Sequence, residues 1–249
     1  KIYNANDCAP YEEGINHIKK SYNKIDLALL PYAGGSGYPG CYDNLSHEEK
    51  LKERKRILDS RYEEFVKTTK SLDPDLVMPF ADQYVIGGKR GFLNKYAAHP
   101  VCPGDVCEII EQNNLSQKLL LLNSGQSYTI ENKKKYPDNK YRKFSFEERE
   151  DYISELEKKI YDHEKLIFRD SVPINRMLEI ARSRLWTHQK RRDLFPNYRL
   201  YINILDRDLC YEIDFQNEYL KNMVGERNFE TPYLKLNVTN TLISMILIN

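Results

Sequence analysis

Histidine is scarce in this chain. Five are present, at positions 17, 47, 99, 163 and 188, and no two stand at ligand spacing, which excludes a metal centre built from neighbouring histidines alone. No Cys-x-x-Cys occurs. The five cysteines, at 8, 41, 102, 107 and 210, are odd in number, and Cys102 to Cys107 is too loose for a metal knuckle, so they read as reduced, mostly buried thiols. No apolar run is long enough to span a bilayer, Thr241–Asn249 included, and no stretch has the pattern of a secretory signal. Charge of one sign is missing too. With 38 basic and 37 acidic residues the net charge is +1, so no global field selects nucleic acid or an anionic membrane. The expected setting is cytoplasmic.

Tyrosine, by contrast, is abundant, at 19 residues against a single tryptophan. Residues 1–6 read as a strand ending at Asp7, and Ile15, Ile18 and Tyr22 give helical spacing after Pro10. Asp26–Leu30 reads as a buried strand that runs into the loop Gly34-Gly-Ser-Gly37. That loop lacks the Gly-Lys-Ser/Thr ending of a phosphate-binding P-loop, and reads either as a tight turn or as a substrate wall. Ser46 with Glu49 is a capping box opening a helix to about Lys70, with Leu51, Leu58, Tyr62 and Phe65 as its buried stripe. Asp75–Ala81 is the next strand, with Pro79 marking an edge or an end. Helical segments follow near 90–98 and 104–113. Lys118–Leu122 and Ser127–Ile130 are expected to pair around Ser124-Gly125. The alternation of strands and helices predicts a layered α/β unit.

Beyond a basic loop at 132–143 the pattern changes. Ser145 and Glu148 form a second capping box, predicting a helix to about Phe168 with Ile153, Leu156, Ile160 and Ile167 inward. A further helix opens at Ser171-Val-Pro173, with Ile174, Met177, Leu178, Ala181 and Leu185 as its stripe. Strands are expected at Tyr198–Leu205, Cys210–Phe215 and Tyr233–Val238, the first two joined as a hairpin at Asp206-Arg207, and a last helix from about Asn240. Lys1 stands directly on a strand and Ile-Leu-Ile-Asn249 stops inside an apolar segment. The chain is therefore expected to be a fragment of a larger protein.

Asn4-Ala-Asn-Asp7-Cys8, then Asp26-Leu-Ala-Leu-Leu-Pro-Tyr-Ala-Gly-Gly-Ser-Gly-Tyr-Pro39, Pro79-Phe-Ala81 and Leu122-Asn-Ser-Gly125 together resemble the second half of a metallo-β-lactamase-fold hydrolase. The nearer likeness is to the branch that includes CMP-N-acetylneuraminate hydroxylase. The resemblance covers about residues 1–130 and implies the second half of a four-layer αββα sandwich in residues 1–131. Residues 132–249 would follow as a smaller α+β subdomain, helical and then β-rich. It implies that Asp7, at the strand end, is a metal ligand. His99 is the one histidine expected near such a site, and it is the second expected metal ligand. Zinc is the first expectation, with iron or manganese as alternatives. Asp7 also reads as a plain helix N-cap.

Gly35, Ser36, Tyr38 and Tyr42 are expected to shape the substrate pocket. Asp82, standing where relatives have glycine, would touch substrate or metal or sit in a surface turn. The family's His-x-His-x-Asp-His run is absent, so the resemblance implies a missing N-terminal half of the same fold as partner. No Rieske ligands are present. The function implied is metal-dependent hydrolysis, or related oxidation, of a small polar or nucleotide-sugar substrate by a metal-activated water or oxygen species. The alternative is a non-catalytic scaffold that keeps the fold without the metal site. No nucleic-acid or membrane partner is expected, and association of the chain with copies of itself is left open.

Overall fold

A computed structural model describes residues 1–6, 8, 10–81, 84–165, 173–223, 229 and 232–248, the side chains of His163, Glu164 and Ile248 excepted. The chain is a mixed α/β protein with several sheets. It divides into two compact units, Lys1–Lys159 and Ile160–Asn249. That division lies later than the compositional shift after residue 131. Among the described residues no helix is long and apolar enough to cross a membrane.

The first unit is built on three parallel strands, β1 (Ile2–Asn4), β2 (Leu27–Leu30) and β3 (Leu76–Pro79), which neighbour one another in chain order. Leu119 adds a parallel bridge to Val77, extending the order by one further segment. Helix α1 (Glu12–Ser21) connects β1 to β2, and α2 (His47–Leu72) connects β2 to β3. Right-handed crossovers between neighbouring strands taken in order put the connecting helices on one face. Accordingly Ile15 of α1, Phe65 and Val66 of α2 and Ile110 of α3 (Cys107–Gln112) share one core with Ala28, Leu30 and Val77. The opposite sheet face carries Leu27, Leu29, Leu76 and Met78, by the alternation of a strand.

Both capping boxes form. Ser46 accepts from the Glu49 amide and Glu49 from the Ser46 amide at the start of α2. Ser145 and Glu148 do the same at α4 (Phe146–Glu157).

Several expectations fail. Lys118–Leu122 does not pair with the segment after Ser124-Gly125. Leu119 joins the parallel sheet, and β4 (Ser127–Thr129) pairs antiparallel with β5 (Lys134–Tyr136), inside the stretch read as a basic loop. Leu51 is 39 % exposed, because α2 is about 39 Å long at 1.5 Å per residue, whereas a four-residue strand spans about 13 Å. Only the second half of α2 lies over the sheet. Helix α4 ends at Glu157, so Ile160 falls outside it and is 64 % exposed, while Ile153 and Leu156 are buried as read. Ile167 lies outside the described residues. The cysteines are free, but Cys8, Cys41 and Cys107 are exposed and only Cys102 and Cys210 buried, against the expectation that most would be inside.

The second unit contains α5 (Asp162–Lys165), α6 (Ile174–Arg192) and a four-stranded sheet of β6 (Arg199–Ile204), β7 (Leu209–Asp214), β8 (Leu220–Met223) and β9 (Tyr233–Val238), closed by α7 (Asn240–Ile248). The order is β8-β7-β6-β9, with the predicted β6–β7 hairpin antiparallel and β9 parallel to β6. Strand β8 has no counterpart among the strands expected from the sequence. Ile202, Ile204, Tyr211 and Ile213 pack with Ile174 and Leu178 of α6 and Ile243 of α7.

Candidate functional site

In a parallel sheet the carboxyl ends of all strands lie on one edge, and functional groups collect there. Residues Ala5–Asn6, Pro31–Gly37 and Phe80–Ala81 follow directly on β1, β2 and β3, and Asn123 follows the bridging segment at Leu119. The four sequence segments quoted above therefore share one edge. At the first strand end, Asn6 has φ 48° and its amide is held by the Asn4 side chain at 2.9 Å. Asp7 and Asp82, the two carboxylates expected at this edge, lie outside the described residues.

The loop after β2 is the best-defined part of the edge. Tyr32, Ala33 and Gly34 are buried, and then Gly35, Ser36 and Gly37 stand exposed. Tyr38 packs edge-on to Tyr42 with ring centroids 4.8 Å apart, and its hydroxyl donates to Glu53 of α2 at 2.8 Å. Arg56 and then Tyr38 hold Glu53 below the usual carboxylate range, so it remains an ionised acceptor. Lys50 of α2 donates to the Gly40 carbonyl at 3.2 Å. Tyr38 is thus committed to α2, while Tyr42 and the loop apex face solvent.

His99 is 1 % exposed. Its ring meets that of Tyr84, centroids 3.7 Å apart and 69° between planes, and the Tyr84 hydroxyl donates to the Ser36 carbonyl at 2.9 Å. Two of the expected site residues, His99 and Ser36, are therefore linked through Tyr84, which is not among the expected site residues.

A second group lies near the buried Tyr32. The Asp105 carboxylate accepts from the Val101 amide at 2.6 Å and from Lys143 at 2.7 Å, and the Tyr141 hydroxyl accepts from the Gly104 amide at 3.2 Å. Burial pushes the Tyr141 phenol far up, and its hydrogen bond with Cys102 adds to this. Burial does the same to Tyr32 and Tyr62. Asn123 grips the segment carrying Tyr141: its amide group donates to the Arg142 carbonyl and its carbonyl accepts from the Arg142 amide, both at 2.8 Å. An asparagine at the end of an apolar run is a visible signal for such a clamp. Nothing local marks Tyr141.

Among the described residues no group of three His, Cys, Asp or Glu side chains is placed to hold a metal ion. The described residues do not by themselves fit a metal. Comparison of the chain with protein-family models, with curated proteins and with solved structures finds no match in any of the three.

Proposed function

We propose that residues 1–131 are the second half of a four-layer metallo-β-lactamase-like sandwich, and that in the complete fold the chain serves a metal-dependent hydrolase or related oxidoreductase. The observation that carries the reading is the convergence of the four resembling segments on one edge of a parallel sheet. Helices gathered on one sheet face, with apolar residues on the other, also suit one half of a layered sandwich. Asp7 is the residue of this chain that would hold metal, zinc first. Such a metal, when bound, lowers the pKa of a water so that it is activated near neutral pH. The apex at Gly35 and Ser36, with Tyr42 beside it, would form one wall of a pocket for a small polar or nucleotide-sugar molecule.

A second reading, a scaffold that keeps this fold without a metal, is favoured by the lack of a ligand cluster among the described residues. Elemental analysis of the full-length protein separates the two. The hydrolase reading expects roughly one or two equivalents of tightly held metal, as in one- and two-metal sites, lost in Asp7→Ala. Metal-free protein whose stability and partners are unchanged by Asp7→Ala leaves the scaffold.

A further inference from the structure

The apex Gly35-Ser36-Gly37 has little to hold it by packing. A Cβ placed at Gly35 would meet nothing within 4 Å, and all three residues are exposed. Local bonds shape the outgoing limb: the Tyr38 amide donates to Ser36 Oγ at 3.1 Å and the Cys41 amide to the Gly37 carbonyl at 2.9 Å. These fix the loop relative to itself. Among the described residues, the bond that ties the apex to a distant part of the chain is Tyr84 Oη to the Ser36 carbonyl, 48 residues apart in sequence.

We propose that Tyr84 is the positioning residue of the Gly34–Gly37 wall, holding its apex through the Ser36 carbonyl while its own ring is fixed against His99. The role as a substrate wall rests on the function proposed above. The brace itself does not. A solvent-facing hydrogen bond competes with water and loses much of its value when the donor must be ordered. Here the donor is ordered beforehand, because His99 lies buried between the buried residues Ala98 and Pro100 and the phenol ring packs on it. Burial, and then the nearby Cys41 thiol, raise the Tyr84 phenol, so it stays a neutral donor at neutral pH. The brace joins the loop after β2 to the segment after β3, so a molecule pressing on one meets resistance from both. In an enzyme of the proposed class, Tyr84 would set how closely the wall approaches the strand ends without touching the reacting atoms.

The chain contains two serine–glycine pairs, Ser36-Gly37 and Ser124-Gly125. Labelling serine carbonyls with ¹³C and glycine amides with ¹⁵N therefore gives one signal for the braced carbonyl and one internal control. In Tyr84→Phe, which keeps the ring and removes the donor, the Ser36–Gly37 signal should move and the Ser124–Gly125 signal should stay. Hydrogen exchange in a peptide covering residues 33–42 should quicken about two- to tenfold, the range expected for one net hydrogen bond, with α2 unchanged. An unmoved Ser36–Gly37 signal in Tyr84→Phe overturns the proposal. So does a shift seen only in Tyr84→Leu, which would assign the brace to ring packing. Neither measurement uses metal or turnover. A moved signal in a protein that holds no metal therefore refutes the hydrolase reading and leaves the brace standing.

Discussion

Arg182 is 1 % exposed and donates to the Gln189 side-chain oxygen at 2.9 Å, to the Asp214 carbonyl at 3.2 Å and to the Asn217 carbonyl. Its guanidinium lies over the Trp186 ring, 5.1 Å from the centroid. Burial disfavours the charge, while Asp214 and Glu218 favour it. The planar fork of arginine suits the carbonyls of a turn in a way that lysine does not. The inward face of α6 is consequently Ile174, Leu178, Arg182 and Gln189, and the expected Ala181 and Leu185 turn out exposed. Apolar periodicity reads an arginine as solvated and shifts the predicted stripe round the helix. Arg182→Met should lower the stability of the second unit by about 2–4 kcal/mol, because it leaves buried acceptors unpaired. Urea unfolding followed by the fluorescence of Trp186, the only tryptophan, reads that change. A midpoint equal to that of the exposed-site variant Arg191→Met would show that the network contributes nothing.

Helix α2 begins in a capping box and ends at Asp73, which takes a left-handed conformation with φ 50°. The Asp73 carboxylate is bonded to Lys118 at 2.5 Å, and Lys118 also donates to the Pro74 carbonyl at 2.7 Å. This fastens the helix end to the chain entering the fourth parallel position. The hydrogen bond and charge of Lys118 hold Asp73 below its ordinary value. Its contribution is therefore present above the unfolded pKa of about 4 and is lost as pH falls through the lower folded value. Because the side chain is largely exposed, it should be worth less than about 1 kcal/mol. Asp73→Asn should lower the urea midpoint slightly at pH 7, less so at high salt, and match the parent in strong acid; a gap that persists in acid would assign the effect to the cap instead. Elements such as α2 and α4 were legible from their caps. Strand pairing was not. The Lys118–Leu122 run marks an extended apolar segment, which forms a single bridge at Leu119, but its partner, Val77, lies far away in sequence and leaves no local mark. At the candidate edge the loop residues were legible from glycine and proline, whereas Tyr84 became visible only through its distant contact.

In the first unit three phenols, Tyr32, Tyr62 and Tyr141, are raised above their ordinary value chiefly by burial. Unfolding frees them to ionise near pH 10, so stability holds below that pH and falls as pH rises above it. Alkaline unfolding, followed by circular dichroism, should coincide with the appearance of phenolate absorbance. Replacing Tyr62 by Phe should shift that transition to higher pH, and an unshifted one would mean the phenol is already hydrated in the fold. The same unit has sheet order equal to chain order, β1-β2-β3 and then Leu119. Among the described residues each parallel strand thus pairs with the one before it in the chain, and none is inserted between two earlier ones. Each pairing in this sheet therefore closes only one connection, which keeps its contacts as local as a parallel sheet allows and favours faster folding.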